Sequence, residues 1–124
     1  MRPVTAGHAP APVGPYVPAV VAGTLVFCSG QIGLNAQGVL VGGDTAAQTR
    51  QALDNLTAII VAAGSDWGRV VRVEVYLVDL AEFAAFNEIY ESYCVKGTYP
   101  ARVTVGVQAL PKGARVEISC IAEL

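Results

Sequence analysis

Charge is scarce in this sequence. Of its 124 residues only 15% are Asp, Glu, Lys or Arg, while 53% are apolar; an ordinary soluble domain carries roughly a quarter charged. The basic side chains stand singly and the formal charge is −2. Nucleic-acid binding needs clustered positive charge to displace phosphate counterions, so no nucleic-acid partner is expected. His8 is the single histidine. Cys28, Cys94 and Cys120 lie far apart without a Cys-x-x-Cys pair. Zinc spacing is therefore lacking and no metal is expected; the odd cysteines read as free thiols in a reducing compartment. Long apolar runs are also missing. The most apolar stretch, Val17 to Ile32, is broken by Pro18, Gly23 and Gly30 and falls short of the ~20 residues that span a bilayer. The opening string MRPVTAGHAPAPVGPY contains no continuous apolar segment of the secretory type. A cytoplasmic chain with no membrane partner is expected.

What is present is an apolar surplus. A chain this short suits one domain, residues 1–124, with much surface for its volume. It cannot hide so much apolar area within itself, and a second subunit is the simplest cover. Residues 1–13, rich in Pro and Gly, read as an extended arm. Tyr16 to Ala22 and Thr24 to Gly33 read as paired strands turned at Gly23. Thr45 to Ala63 is the clearest helix: Thr45 and Gln48 stand at capping-box spacing, Gly64 suits its C-terminus, and Ala52, Leu53, Leu56, Ile59, Ile60 and Ala63 form one stripe. Val70 to Leu80 follows as a strand. Asp79 and Glu82 open a second helix with Phe83, Phe86, Tyr90 and Cys94 on its apolar face. Strands Ala101 to Val107 and Arg115 to Ala122 close the chain. The order ββαβαββ predicts an α/β (α+β) domain, one mixed sheet with both helices on one face. The other face is left for a partner.

Alternation in the last two strands separates candidate polar residues from apolar ones. Val103, Val105 and Val107 share one side; Arg102 and Thr104 share the other. If the valines meet the helices, Arg102 and Thr104 project from the opposite face, where Glu117 is expected to join them. Arg is suited to grip a carboxylate through two parallel hydrogen bonds. A Glu among apolar walls has a raised pKa and can activate water. The same pair also reads as an ion pair that sets strand register or docks subunits, the commoner use of such residues. Ser29 has no sequence-local base, and its setting Phe27-Cys28-Ser29-Gly30-Gln31 lacks the G-x-S-x-G elbow. Tyr16, after the Gly14-Pro15 turn signal, either projects into a pocket or is ordinarily half-buried. Asn87 is placed on the solvated side of its helix, and His8 lies in the arm, away from any chemistry.

At these positions the chain resembles the Rid family of reactive intermediate deaminases, also called YjgF and, under an older label, L-PSP endoribonucleases. The resemblance runs from about Gly14 to Ala122. It is carried by Gly14-Pro15-Tyr16, by Ser29-Gly30-Gln31-Ile32, and by Asn87 within Phe86-Asn87-Glu88-Ile89-Tyr90. The most specific stretch is Tyr99-Pro100-Ala101-Arg102-Val103-Thr104-Val105, then Leu110-Pro111-Lys112 and Val116-Glu117-Ile118. It implies a chorismate-mutase-like homotrimer with clefts between subunits. It also implies hydrolysis of 2-imino or 2-aminoenoic acids, such as 2-aminoacrylate and its imine tautomer, to 2-keto acids and ammonia. In that reading Arg102 holds the substrate carboxylate, and Glu117 and Ser29 position the water. Tyr16 and Asn87 line the cleft, while Gly30 and Thr104 offer backbone contacts, with no cofactor.

The chain departs from the family pattern at Val17, Pro18, Val103, Thr104, Gln108 and Ser119, which bears on substrate preference. Two other functions stay open at this point: a non-catalytic keto-acid-binding regulator that keeps the Arg102 clamp, and an endoribonuclease. The last lacks a basic groove, stacking aromatics and a His pair.

Overall fold

Asp44, not Thr45, caps the long helix. In the computed structural model, which describes residues 1–124, helix α1 spans Thr45–Ala62, and Asp44 Oδ1 accepts from the Ala47 amide at 2.7 Å. Thr45 and Gln48 do not form the expected capping box. Both are buried and turned toward other elements: Thr45 Oγ1 accepts from Arg115 Nε at 2.9 Å, and Gln48 Oε1 accepts from the Arg115 amide at 2.8 Å. The far end matches expectation. Gly64 adopts φ +93, and the Ser65 amide closes back on the Ile60 carbonyl, the geometry a side chain with a Cβ resists.

Six strands form one sheet: β1 (Arg2–Val4), β2 (Ala19–Ala22), β3 (Leu25–Gln31), β4 (Val70–Leu77), β5 (Ala101–Gly106) and β6 (Val116–Glu123). Their spatial order is β1-β2-β3-β6-β4-β5, antiparallel throughout except for the parallel pair β4 and β5. That pair is joined across α2 (Phe83–Glu91), as parallel neighbours require. The arm is partly sheet. Arg2–Val4 pairs with β2, and Val4 is buried in the core, a gain that a three-residue strand shows only once its partner is in place. The first expected strand shortens: Tyr16 and Val17 stay outside it and exposed. Cys94 lies past the end of α2, packed half-buried against the core.

Both helices cover the same face. Leu53, Leu56, Ile59 and Ile60 of α1, with Phe86 and Tyr90 of α2, share one cluster with Val26, Val73, Val75, Val116 and Ile118 of the sheet. Most of these have no exposure at all. On the opposite face Phe27, Val103 and Val105 remain 42%, 38% and 40% exposed. No helix is long and apolar enough to cross a membrane.

Replacing Asp44 with Ala removes a first-turn acceptor, and an N-cap is worth about 1 kcal/mol. Equilibrium unfolding of Asp44→Ala should show a loss of that size; an unchanged midpoint would mean the cap contributes nothing.

Candidate active site in two halves

The structure corrects the placement of Arg102. Its register partner on β4 is Val73, a core residue with no exposure, so Arg102 and Thr104 lie on the helix side of the sheet. Val103 and Val105 occupy the uncovered face instead. Alternation shows which residues share a side, but the covering helix decides which side is inner. Glu117 pairs with Tyr76, on the uncovered face. Arg102 and Glu117 therefore sit on opposite faces with β4 between their strands, about 10 Å apart laterally at the usual strand spacing. The expected Arg102–Glu117 ion pair does not exist within the chain. The ion pairs present are Arg69–Asp66, Arg72–Glu74 and Arg115–Glu82.

One half of the site gathers at the bulged end of β3. Cys28 faces Cys120 on β6, yet Gln31 faces Ile118, so β3 carries one extra residue at Ser29-Gly30. Bulges of this kind re-aim side chains. Ser29 Oγ donates to the Val17 carbonyl at 2.6 Å, and its amide donates to the Pro18 carbonyl at 2.8 Å. Ser29 thus ties the Tyr16 segment to the sheet. Its hydroxyl proton is committed, which leaves its lone pairs to accept from water. Tyr16 arches back over Pro15, its amide donating to the Gly14 carbonyl and its phenol oxygen accepting from the Val13 amide at 3.3 Å. Tyr16, Ser29, Gly30, Pro111 and Glu117 line one open cleft. A Cβ on Gly30 would stand 2.5 Å from Glu117 Oε2, so only glycine lets the carboxylate lie there.

Glu117 is half-buried and faces no cation. Burial alone pushes its carboxyl above the ordinary range, the direction a proton acceptor working near neutral pH requires.

The other half lies under α2. The Arg102 guanidinium rests 4.8 Å from the Tyr90 ring centre and 5.6 Å from those of Phe83 and Phe86, and no acid pairs with it. Asn87, expected on a solvated face, is half-buried. Its Oδ1 and the Thr104 Oγ1 are both buried without a hydrogen-bond partner. No group of three or more His, Cys, Asp or Glu side chains converges anywhere in the molecule.

Buried amides of α1 brace the cleft; sequence reasoning assigned Gln48 a capping role and passed over Gln51 and Asn55. Asn55 Nδ2 donates to the Ile32 and Leu34 carbonyls at 3.3 and 2.9 Å, while Gln51 Nε2 donates to Asn55 Oδ1. Gln48 holds the Arg115 amide two residues before Glu117 and donates to the Gly42 carbonyl. Arg115 in turn pairs with Glu82, whose carboxyl is held low first by the Thr45 hydroxyl and then by Arg115. A polar Asn55 inside an apolar stripe was the one available signal.

The sequence profile described as Endoribonuclease L-PSP matches residues 6–124. The chain belongs to this family. Human 2-iminobutanoate/2-iminopropanoate deaminase is 43% identical to this L-PSP family chain over 98% of it and 88% of the human protein. A RutC family protein of Synechocystis sp. is 43% identical over 100% and 97% of the two chains. Among solved structures, RidA from the Antarctic bacterium Psychrobacter superposes with TM-score 0.95 at 40% identity, covering all of both chains. TdcF of E. coli with bound serine gives TM-score 0.92 at 38% identity, over 100% of this chain and 99% of that one.

Raised by burial, the Glu117 pKa is higher folded than unfolded, so the folded state holds its proton more tightly. Stability then falls as pH rises through that interval. Glu117→Gln removes the buried charge, so in thermal melts near pH 7 it should match or exceed the unmodified protein, with the advantage vanishing near pH 4. A variant less stable at neutral pH would show that the charge is compensated in the fold.

Proposed function

We propose that this protein hydrolyses 2-imino acids, and their 2-aminoenoic tautomers, to 2-keto acids and ammonia in the cytoplasm. The observation that carries this reading is Arg102: a half-buried guanidinium, held by rings, with no acid to satisfy it. A planar fork left free in this way suits a carboxylate. The names of the deaminase relatives and the serine in the TdcF structure support a small substrate bearing that group.

An imine carbon is already electrophilic, so positioning, a poised water and one proton relay suffice. Arg102 holds the carboxylate. Glu117, as carboxylate, takes a proton from water as the water oxygen bonds to the carbon of the protonated imine and the C=N π pair moves to nitrogen. The resulting carbinolamine collapses: Glu117 returns that proton to the amino group, the C–N bond breaks and ammonia leaves, while the carbinol O–H passes its proton to Glu117 as the C=O of the keto acid forms. Ser29 accepts a hydrogen bond from the water, while Tyr16, Gly30, Asn87 and Thr104 line the site. No step calls on a metal or an organic cofactor.

The two halves meet only if one subunit's Arg102 edge faces another's Glu117 cleft, which suits the homotrimer with sites between subunits that the family resemblance implies. Burial of Phe27, Val103 and Val105, exposed in the single chain, would drive the association. Sedimentation equilibrium at micromolar concentration should give a trimer. A stable monomer with full activity would overturn both the assembly and the shared site.

The activity test couples a pyridoxal-phosphate-dependent serine or threonine dehydratase to this protein and follows keto-acid release. Glu117→Gln should lower turnover about 10²–10⁴-fold, the usual worth of a positioned acid or base, while calorimetry still shows keto-acid binding. Arg102→Lys should impair binding and turnover together. Normal kinetics in either folded variant would remove that residue from the mechanism. Keto-acid binding with no turnover by the unmodified protein would favour a metabolite-binding regulator.

A further inference from the structure

Arg102 is unlike the paired arginines of this chain. Arg69, Arg72 and Arg115 each meet an acid, whereas Arg102 meets three aromatic faces. Its guanidinium carbon stands 4.8 Å from the Tyr90 centroid, against 5.6 Å for Phe83 and Phe86. Tyr90 is itself fixed. It stacks on Phe86 with centroids 5.7 Å apart and planes inclined by 19°, and meets Trp67 edge-on at 6.5 Å. With 7% exposure it has no freedom to turn away.

A ring face and an acid hold a guanidinium in different ways. An acid consumes the N–H donors. The negative face of a ring attracts the cation yet leaves every in-plane donor free. It also restricts a long side chain that would otherwise lose rotamer freedom when a ligand arrives. The Tyr90 hydroxyl adds nothing to this arrangement. It is buried without a partner, and the Cys94 thiol alongside does not meet hydrogen-bond geometry.

We propose that Tyr90, backed by Phe86, is a positioning residue whose ring face holds the Arg102 guanidinium with its donors presented to a substrate carboxylate. Tyr90 acts through Arg102 and does not itself contact the substrate. The inference rests on the reading of Arg102 as the carboxylate clamp.

The test replaces Tyr90 in the full chain with phenylalanine, then with mono-, di- and trifluorophenylalanine. These keep ring shape and apolarity while progressively weakening the negative face. Calorimetric affinity for 2-oxobutanoate, kcat and KM for imine hydrolysis, and thermal melting are read for each. Tyr90→Phe should bind within about twofold of the unmodified protein, because the lost hydroxyl has no partner. Across the fluorinated series log affinity should fall steadily, by about 5- to 30-fold in all. The loss should appear in KM, with kcat and melting temperature nearly constant. A merely structural ring would instead move melting temperature and leave affinity flat, which overturns the proposal. Arg102→Ala, measured alongside, separates the two readings. If it loses binding while the series is flat, the cradle alone fails; if it binds 2-oxobutanoate normally, the clamp fails and the cradle with it.

Discussion

The sheet has helices on one face only, and most of what is distinctive about this protein depends on that. Fully burying an aliphatic or aromatic side chain is worth about 1.5–3 kcal/mol, and α1 and α2 supply that burial for Val26, Val73, Val75, Val116 and Ile118. Phe27, Val103 and Val105 on the other face stay 42%, 38% and 40% exposed in the single chain. The same division sends Arg102 inward against rings and Glu117 outward, so under the proposed function each chain would carry two halves of a site.

Inward-facing amides of α1 brace the cleft together with the Arg115–Glu82 ion pair. Asn55 and Gln48 bond carbonyl and amide groups at the end of β3 and the start of β6, near the positions that carry Gly30 and Glu117. Buried amides satisfied on both sides hold backbone closely, because any displacement would leave polar groups unpaired where water cannot reach them. The Glu117 carboxyl is the exception: buried enough to have its pKa raised, it has no cation to lower it again. A group left in that condition is costly to the fold and useful to proton transfer.

Elements with strong periodicity were legible from the residues. The stripe from Ala52 to Ala63 is buried as read, Gly64 takes positive φ, and the strands from Val70, Ala101 and Arg115 lie within a few residues of where the residue pattern put them. Features that depend on a distant partner were not. Arg2–Val4 becomes a strand only against β2. Thr45 and Gln48, which read as a local cap, are drawn instead to Arg115 on β6. Asn87, read as solvated, has its Oδ1 buried, on a helix whose Phe83, Phe86 and Tyr90 rings pack around Arg102 of β5.

By itself, then, the sequence determined the element order, the motif residues and family resemblance, and the surplus of apolar surface. Each is local or compositional, written in spacing and residue type. Tertiary structure alone decided on which face each residue falls. Alternation in β5 is symmetric between two answers, and the choice comes from the pairing of Arg102 with Val73 and from α2 folding over that side. The bulge at Ser29-Gly30 was equally hidden. It arises where β3 must gain one residue on β6 while Gly30 leaves room for the Glu117 carboxylate, and that coincidence exists only once strands distant in sequence lie side by side.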